Sequence, residues 1–138
     1  MYSLSEWLAD GLLIAMGAAL GTPARFFLSG LVARRLGETF PWGTLVVNAT
    51  GCLVMGLVAW LAATRGLSSA STFWLIVATG FLGSYTTVSS FALQTRALVR
   101  DGESRLALGY VALSLFLCLG AVTVGFEFGR EIFAGAAR

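Results

Sequence analysis

Residues 66–95 carry no charged side chain, yet the middle of this run reads Gly80-Phe-Leu-Gly-Ser-Tyr-Thr-Thr-Val-Ser-Ser-Phe91. An uncharged apolar run of this length is a membrane-spanning helix, since about 20 such residues cross the hydrocarbon. Six hydroxyl side chains and two glycines within a dozen positions form a polar break inside it. Each unsatisfied polar group in hydrocarbon is costly, so irregular backbone persists there only against protein or a water-filled route. The span drawn within it at residues 72–95 has its midpoint at Gly83-Ser84, which places the break near the bilayer midplane. Unwound carbonyls there are hard ligands suited to a hard cation, and the hydroxyls offer neutral donors to an anion.

The rest of the chain obeys the same solvent. With 57% hydrophobic and 12% charged residues in 138, the composition is that of an integral membrane protein. The pattern predicts an all-α fold, a four-helix bundle of one domain (residues 1–138), with spans at about 11–33, 43–63, 72–95 and 106–126. Trp7, Trp42, Trp60 and Trp74 fall near span ends, where amphipathic rings favour the headgroup level. Pro41 marks the start of the second span and Asp101-Gly102 a turn between the third and fourth. The first span has no basic stretch before it and Arg34-Arg35 after it, so it reads as a retained helix and not a cleaved leader.

All nine basic residues are arginines, the net charge is +2, and histidine and lysine are missing. That excludes a basic nucleic-acid surface, a histidine proton relay, and any serine hydrolase built on Ser89 or Ser90, which would want a base within reach. Arg34, Arg35, Arg96, Arg100 and Arg105 flank one side of the bundle against Arg65, Arg130 and Arg138 on the other. The positive-inside rule then leans toward both termini outside, but only slightly.

Polar groups within spans are site candidates by default. Arg25 is the charge lying well inside one; it either snorkels to the interface or draws an anion into a vestibule. Asn48 offers two amide donors, to a neighbouring backbone or to an anion path. Tyr110, Ser114 and Cys118 follow one another at one-turn spacing on the fourth span. Cys52 reads as a small packing residue. Gly17-Ala-Ala-Leu-Gly21 gives a small-residue face for close helix approach, and Gly51, Gly56, Gly109 and Gly120 carry the same message.

Three ordered motifs give the chain a resemblance to the small fluoride channels, the Fluc/CrcB family. They are Gly17-Ala-Ala-Leu-Gly-Thr-Pro-Ala-Arg25-Phe26, Pro41-Trp-Gly-Thr-Leu-Val-Val-Asn48-Ala-Thr-Gly51, and the Gly80 to Phe91 segment. The resemblance implies an antiparallel, dual-topology dimer of two copies in the cell inner (plasma) membrane. It implies passive export of fluoride, and a structural sodium ion (Na+) at the dimer centre held by backbone carbonyls of Gly83 and Thr86. Carried onto matching positions, the fluoride pathway comprises Asn48, Phe91, Tyr110 and Ser114, with Val88 and Cys118 at two more and Arg25 at the vestibule. Val88 stands where the family usually has phenylalanine, and Cys118 where relatives often have a hydroxyl. The partners are thus fluoride, sodium, a second copy and the lipid bilayer. Two other readings stay open: one subunit of a heterodimeric fluoride channel, or a small proton-coupled multidrug or guanidinium exporter. The exporter needs a membrane-embedded carboxylate, and Glu6, Asp10 and Glu127 all lie at span edges.

Overall fold

A computed structural model describes residues 3–68 and 71–135, with side chains through Ile132. It is all helical, with no strand among the described residues. Helix α1 (Leu4–Leu36) begins at Ser3, whose hydroxyl accepts the Glu6 N–H while the Glu6 carboxylate accepts the Ser3 N–H at 2.7 Å. This reciprocal cap carries the helix seven residues ahead of the expected apolar boundary. The helix tolerates Pro23 within it and stops at Gly37, whose φ of +85° suits glycine. Pro41 caps α2 (Trp42–Arg65), which ends on the left-handed Gly66.

The third span is composite. A π-helix (Trp74–Leu82) leads through a single α-turn, α3 (Gly83–Tyr85), to two extended residues, Thr86 and Thr87, and then α4 (Val88–Arg100). The break thus falls three residues beyond Gly83-Ser84. Gly80 and Gly83 do not unwind; they are absorbed by the wider π winding and the turn after it, and the β-branched threonines take the extended conformation they favour. Asp101 and Gly102 make the expected turn into α5 (Ser104–Gly135).

Four helical stretches of 33, 24, 27 and 29 residues are long and apolar enough to cross a membrane, and the chain is a multi-pass membrane protein. Many of its large apolar side chains point outward: Leu12, Leu20 and Phe116 are all mainly exposed. Association between the helices therefore rests on close packing and buried polar contacts. Gly17 and Gly21 of α1 sit against the backbone of Ile76 and Phe81 in the third span, and Gly80 answers against the Ile14 carbonyl at 2.6 Å for an added Cβ. Gly56 of α2 sits on the Val122 carbonyl of α5, and Gly125 of α5 on the Leu53 carbonyl of α2. Farther along both helices Gly129 meets the Trp60 ring, so α2 and α5 run parallel.

Two expectations are corrected by this packing. Gly109 and Gly120 face open space on the exposed side of α5 and hold nothing within this chain. Trp60 is buried in the α2–α5 contact and is not a headgroup anchor.

Candidate functional site

The break is held from a different helix. Asn48 donates from Nδ2 to the Thr87 carbonyl at 3.0 Å and accepts the Thr87 N–H on Oδ1 at 2.8 Å. A side-chain amide thus does for Thr87 what a neighbouring peptide would, and satisfies backbone that the interrupted helix leaves without partners. Thr87 in turn caps α4: its hydroxyl accepts the Ser90 N–H at 3.1 Å, donates to Ser90 Oγ at 3.2 Å and lies 3.1 Å from Ser89 Oγ.

These bonds redirect two donors. In an unbroken α-helix the Thr87 N–H would reach the Gly83 carbonyl and the Ser90 N–H the Thr86 carbonyl. Here they go to Asn48 and to the Thr87 hydroxyl, so Gly83 and Thr86 lose their helical partners. Both lie toward the outside of the chain, Gly83 exposed and Thr86 half-buried.

The six hydroxyls of the segment are largely spent locally. Ser84 donates to the Phe81 carbonyl at 3.0 Å and Thr86 to the Leu82 carbonyl at 3.0 Å. Tyr85 pairs with Thr50 at 2.8 Å, and Thr87, Ser89 and Ser90 form the cap just described. The span-three hydroxyls are therefore used mainly to build the break.

Helices α2 and α5 present matched stripes. Residues 44, 48, 52 and 56 of α2 follow one another at one-turn spacing, as do 110, 114, 118 and 122 of α5. The Thr44 side chain reaches the Tyr110 phenol, Asn48 and Ser114 face one pocket, the Cys52 and Cys118 side chains interact, and Gly56 sits on Val122. The pocket, about 390 Å³, lies between α2, α4 and α5 and gathers Asn48, Cys52, Val88, Phe91, Ser114 and Cys118. Ser114 Oγ is buried in it without a hydrogen-bond partner among the described residues. Asn48 keeps one amide hydrogen beyond the one given to Thr87.

Tyr110 is fully buried beside this pocket, with its ring centroid 5.1 Å from Phe91 and 5.5 Å, edge-on, from Phe40. Its phenol donates to Gln94 Oε1 at 3.1 Å. Val88 is 78% exposed and borders the pocket from outside. Arg25 stands apart in a cleft of about 260 Å³ with Thr22, Ser29, Thr44, Thr87 and Ser90. It makes no hydrogen bond or ion pair among the described residues. Val47 and Thr87 face this cleft while their neighbours Asn48 and Val88 face the pocket, so the Asn48–Thr87 pair is the partition between the two.

Sequence reasoning placed five of the six pathway candidates in what proves to be one pocket, with Tyr110 packed against its Phe91. It missed Gln94, Thr44 and the role of Cys52. The one-turn stripe Thr44, Asn48, Cys52 on α2 is the signal that would have found two of them.

Comparison with known proteins identifies the family. Residues 12–126 match the family model described as CrcB-like protein, Camphor Resistance (CrcB). A protein of Bradyrhizobium diazoefficiens named fluoride-specific ion channel FluC 2 is 57% identical over 114 residues, covering 82% of this chain and 83% of its own. One of Rhodopseudomonas palustris with the same name is 57% identical over 122 residues, covering 88% and 93%. A fluoride-specific ion channel FluC of Opitutus terrae is 54% identical over 115 residues, covering 83% and 87%. These matches place the chain in the CrcB-like family of membrane proteins.

Proposed function

We propose that this chain is the subunit of a fluoride-selective channel that lets fluoride leave the cell passively across the inner (plasma) membrane, relieving its toxicity. The observation that carries the reading is the pocket between α2, α4 and α5, where the buried Ser114 hydroxyl has no partner and Asn48 keeps a spare amide hydrogen. Fluoride is small and strongly hydrated, so a selective path must replace its water with closely spaced donors. Neutral donors bind it firmly enough to admit it and weakly enough to release it. Phe91 adds a positive ring edge, and Tyr110, its phenol spent on Gln94, serves mainly to hold that ring. Arg25, unpaired in its cleft, attracts the anion toward the path without lying in it.

The working unit in this reading is an antiparallel dimer of two oppositely inserted copies. The Gly83 and Thr86 carbonyls, deprived of helical donors at mid-span and lying toward the outside of the chain, fit a structural sodium ion shared between the two breaks. Backbone carbonyls are hard, uncharged oxygen ligands of the kind such a cation takes. Sodium here would tie the breaks together and add a fixed positive field.

The test is fluoride efflux from liposomes holding this chain alone, measured against chloride, with Asn48 and Phe91 substituted in parallel. Fast, fluoride-selective efflux that falls on substitution supports the channel; folded protein without efflux overturns it. A flat efflux between about pH 5.5 and 8 separates it from a proton-coupled exporter, whose carboxylate must titrate. Replacing sodium by a large organic cation tests the metal, with loss of the dimer expected.

A further inference from the structure

We propose that Cys52 and Cys118 form a two-thiolate site for a soft d10 metal ion, and that filling it closes the path. The closing part rests on the channel reading; the site itself does not.

Both cysteines are free and half-buried, and they are the chain's entire thiol complement. They occupy matching turns of two parallel helices and line the same pocket. Their separation is set by rigid packing. One turn beyond them Gly56 rests on the Val122 carbonyl, and Gly125 of α5 rests on the Leu53 carbonyl of α2. The same pocket holds Met55, a thioether one turn from Cys52, and is lined mostly by hydrocarbon, including Leu115, Leu119 and Val122, with Asn48 and Ser114 as its oxygen-bearing side chains. With two thiols, a thioether and no carboxylate in the pocket, the site selects soft ions and offers little to sodium, magnesium or calcium.

Charge also favours such an ion. Mercuric chloride is uncharged and enters an apolar pocket readily. Each thiol gives its proton to water, two mercury–sulfur bonds form, two chlorides leave, and no atom changes oxidation state. The product, S–Hg–S, is neutral, so the membrane interior imposes no cost of burying a net charge. A bridged metal would stand between Ser114 and the far end of the pocket, beside the donors a fluoride ion needs.

The experiment uses the full-length protein in micelles and in liposomes, with mercuric chloride as the probe. Intact-mass measurement under denaturing conditions should find one mercury per chain, and a thiol count should fall from two to zero at one equivalent. Cys52→Ser and Cys118→Ser should each retain mercury singly, with chloride or a small thiol as second ligand, and lose it quickly to excess glutathione. Two mercury ions per chain, one thiol left over at one equivalent, or mercury-linked pairs of chains would overturn the site. In liposomes, one equivalent should slow fluoride efflux at least tenfold, reversibly with dithiol. Unchanged efflux with the metal bridged would overturn its placement in the path. Absence of efflux before any mercury is added would instead sink the channel reading, leaving the mass and thiol counts to decide the site.

Discussion

Asn48 and Thr87, 39 residues apart, exchange two hydrogen bonds in the arrangement of a backbone pair, the amide of one side chain reading the peptide of the other residue. The break in the third span is thus a feature of two helices, and α2 is as much a part of it as the threonines. Replacing Asn48 by Ala removes both bonds and leaves a buried peptide unpaired. The expected loss is about 2–4 kcal/mol in mixed-micelle denaturation. Asn48→Asp should be worse, because it turns a carboxylate oxygen toward the Thr87 carbonyl.

Ser114 allows stability and conduction to be separated. Its hydroxyl has no partner among the described residues, so Ser114→Ala should leave unfolding unchanged or raise stability by up to about 1 kcal/mol. Fluoride efflux in the same protein should fall by roughly tenfold or more. Equal loss of both would mean that the hydroxyl is structural.

Tyr110 is predicted to matter through its ring. Tyr110→Phe gives up the bond to Gln94 at a cost of about 1 kcal/mol, keeps the packing on Phe91 and Phe40, and should conduct within about threefold of the original. Tyr110→Ala removes the support of Phe91 and should abolish efflux. The two variants measured side by side decide between a ring that positions and a hydroxyl that binds.

The glycines divide into two groups. A methyl group at Gly17 or Gly56 would run into backbone carbonyls of Ile76 or Val122, so Gly17→Ala and Gly56→Ala should each cost about 1–3 kcal/mol or more. Gly120→Ala meets nothing within the chain and should gain a few tenths of a kcal/mol of helix propensity in the monomer. A loss of dimer with intact helices in that variant would mark α5 as the face against which the second copy docks.

Val88→Phe is the simplest test of the departure that the family resemblance implies at this position. The side chain is 78% exposed, so a ring fits without displacing any neighbour, and stability should stay within about 0.5 kcal/mol. Efflux should rise severalfold if a ring edge at this position helps carry the ion.

The spans and the break were legible because both follow from the one-dimensional pattern of apolar, hydroxyl and glycine residues. The residues forming the pocket were legible one helix at a time: the stripe Tyr110, Ser114, Cys118 is visible on α5 alone. What the sequence could not supply is the register between helices, which depends on which glycine meets which carbonyl, Gly56 on Val122 and Gly125 on Leu53. That register turns Cys52 from a packing residue into the partner of Cys118. Gln94 escaped notice for a similar reason, since its value lies in facing Tyr110 from a helix that begins only after the break. Trp60 was misread because its place near a span end gave no hint that Gly129 opens a slot for its ring.

The seating of α2 on α5 has a mechanical corollary. Parallel helices whose glycines rest on each other's carbonyls behave as two rulers clamped together: sliding one by a turn, about 5.4 Å, would carry every mark to the wrong partner at once. Asn48 would then stand beside Cys118 or Tyr110, and the steric stops at Gly56 and Gly125 oppose any smaller shift. If ions pass between them as proposed, the conduit is a fixed aperture, set at assembly and not reset with each ion that passes.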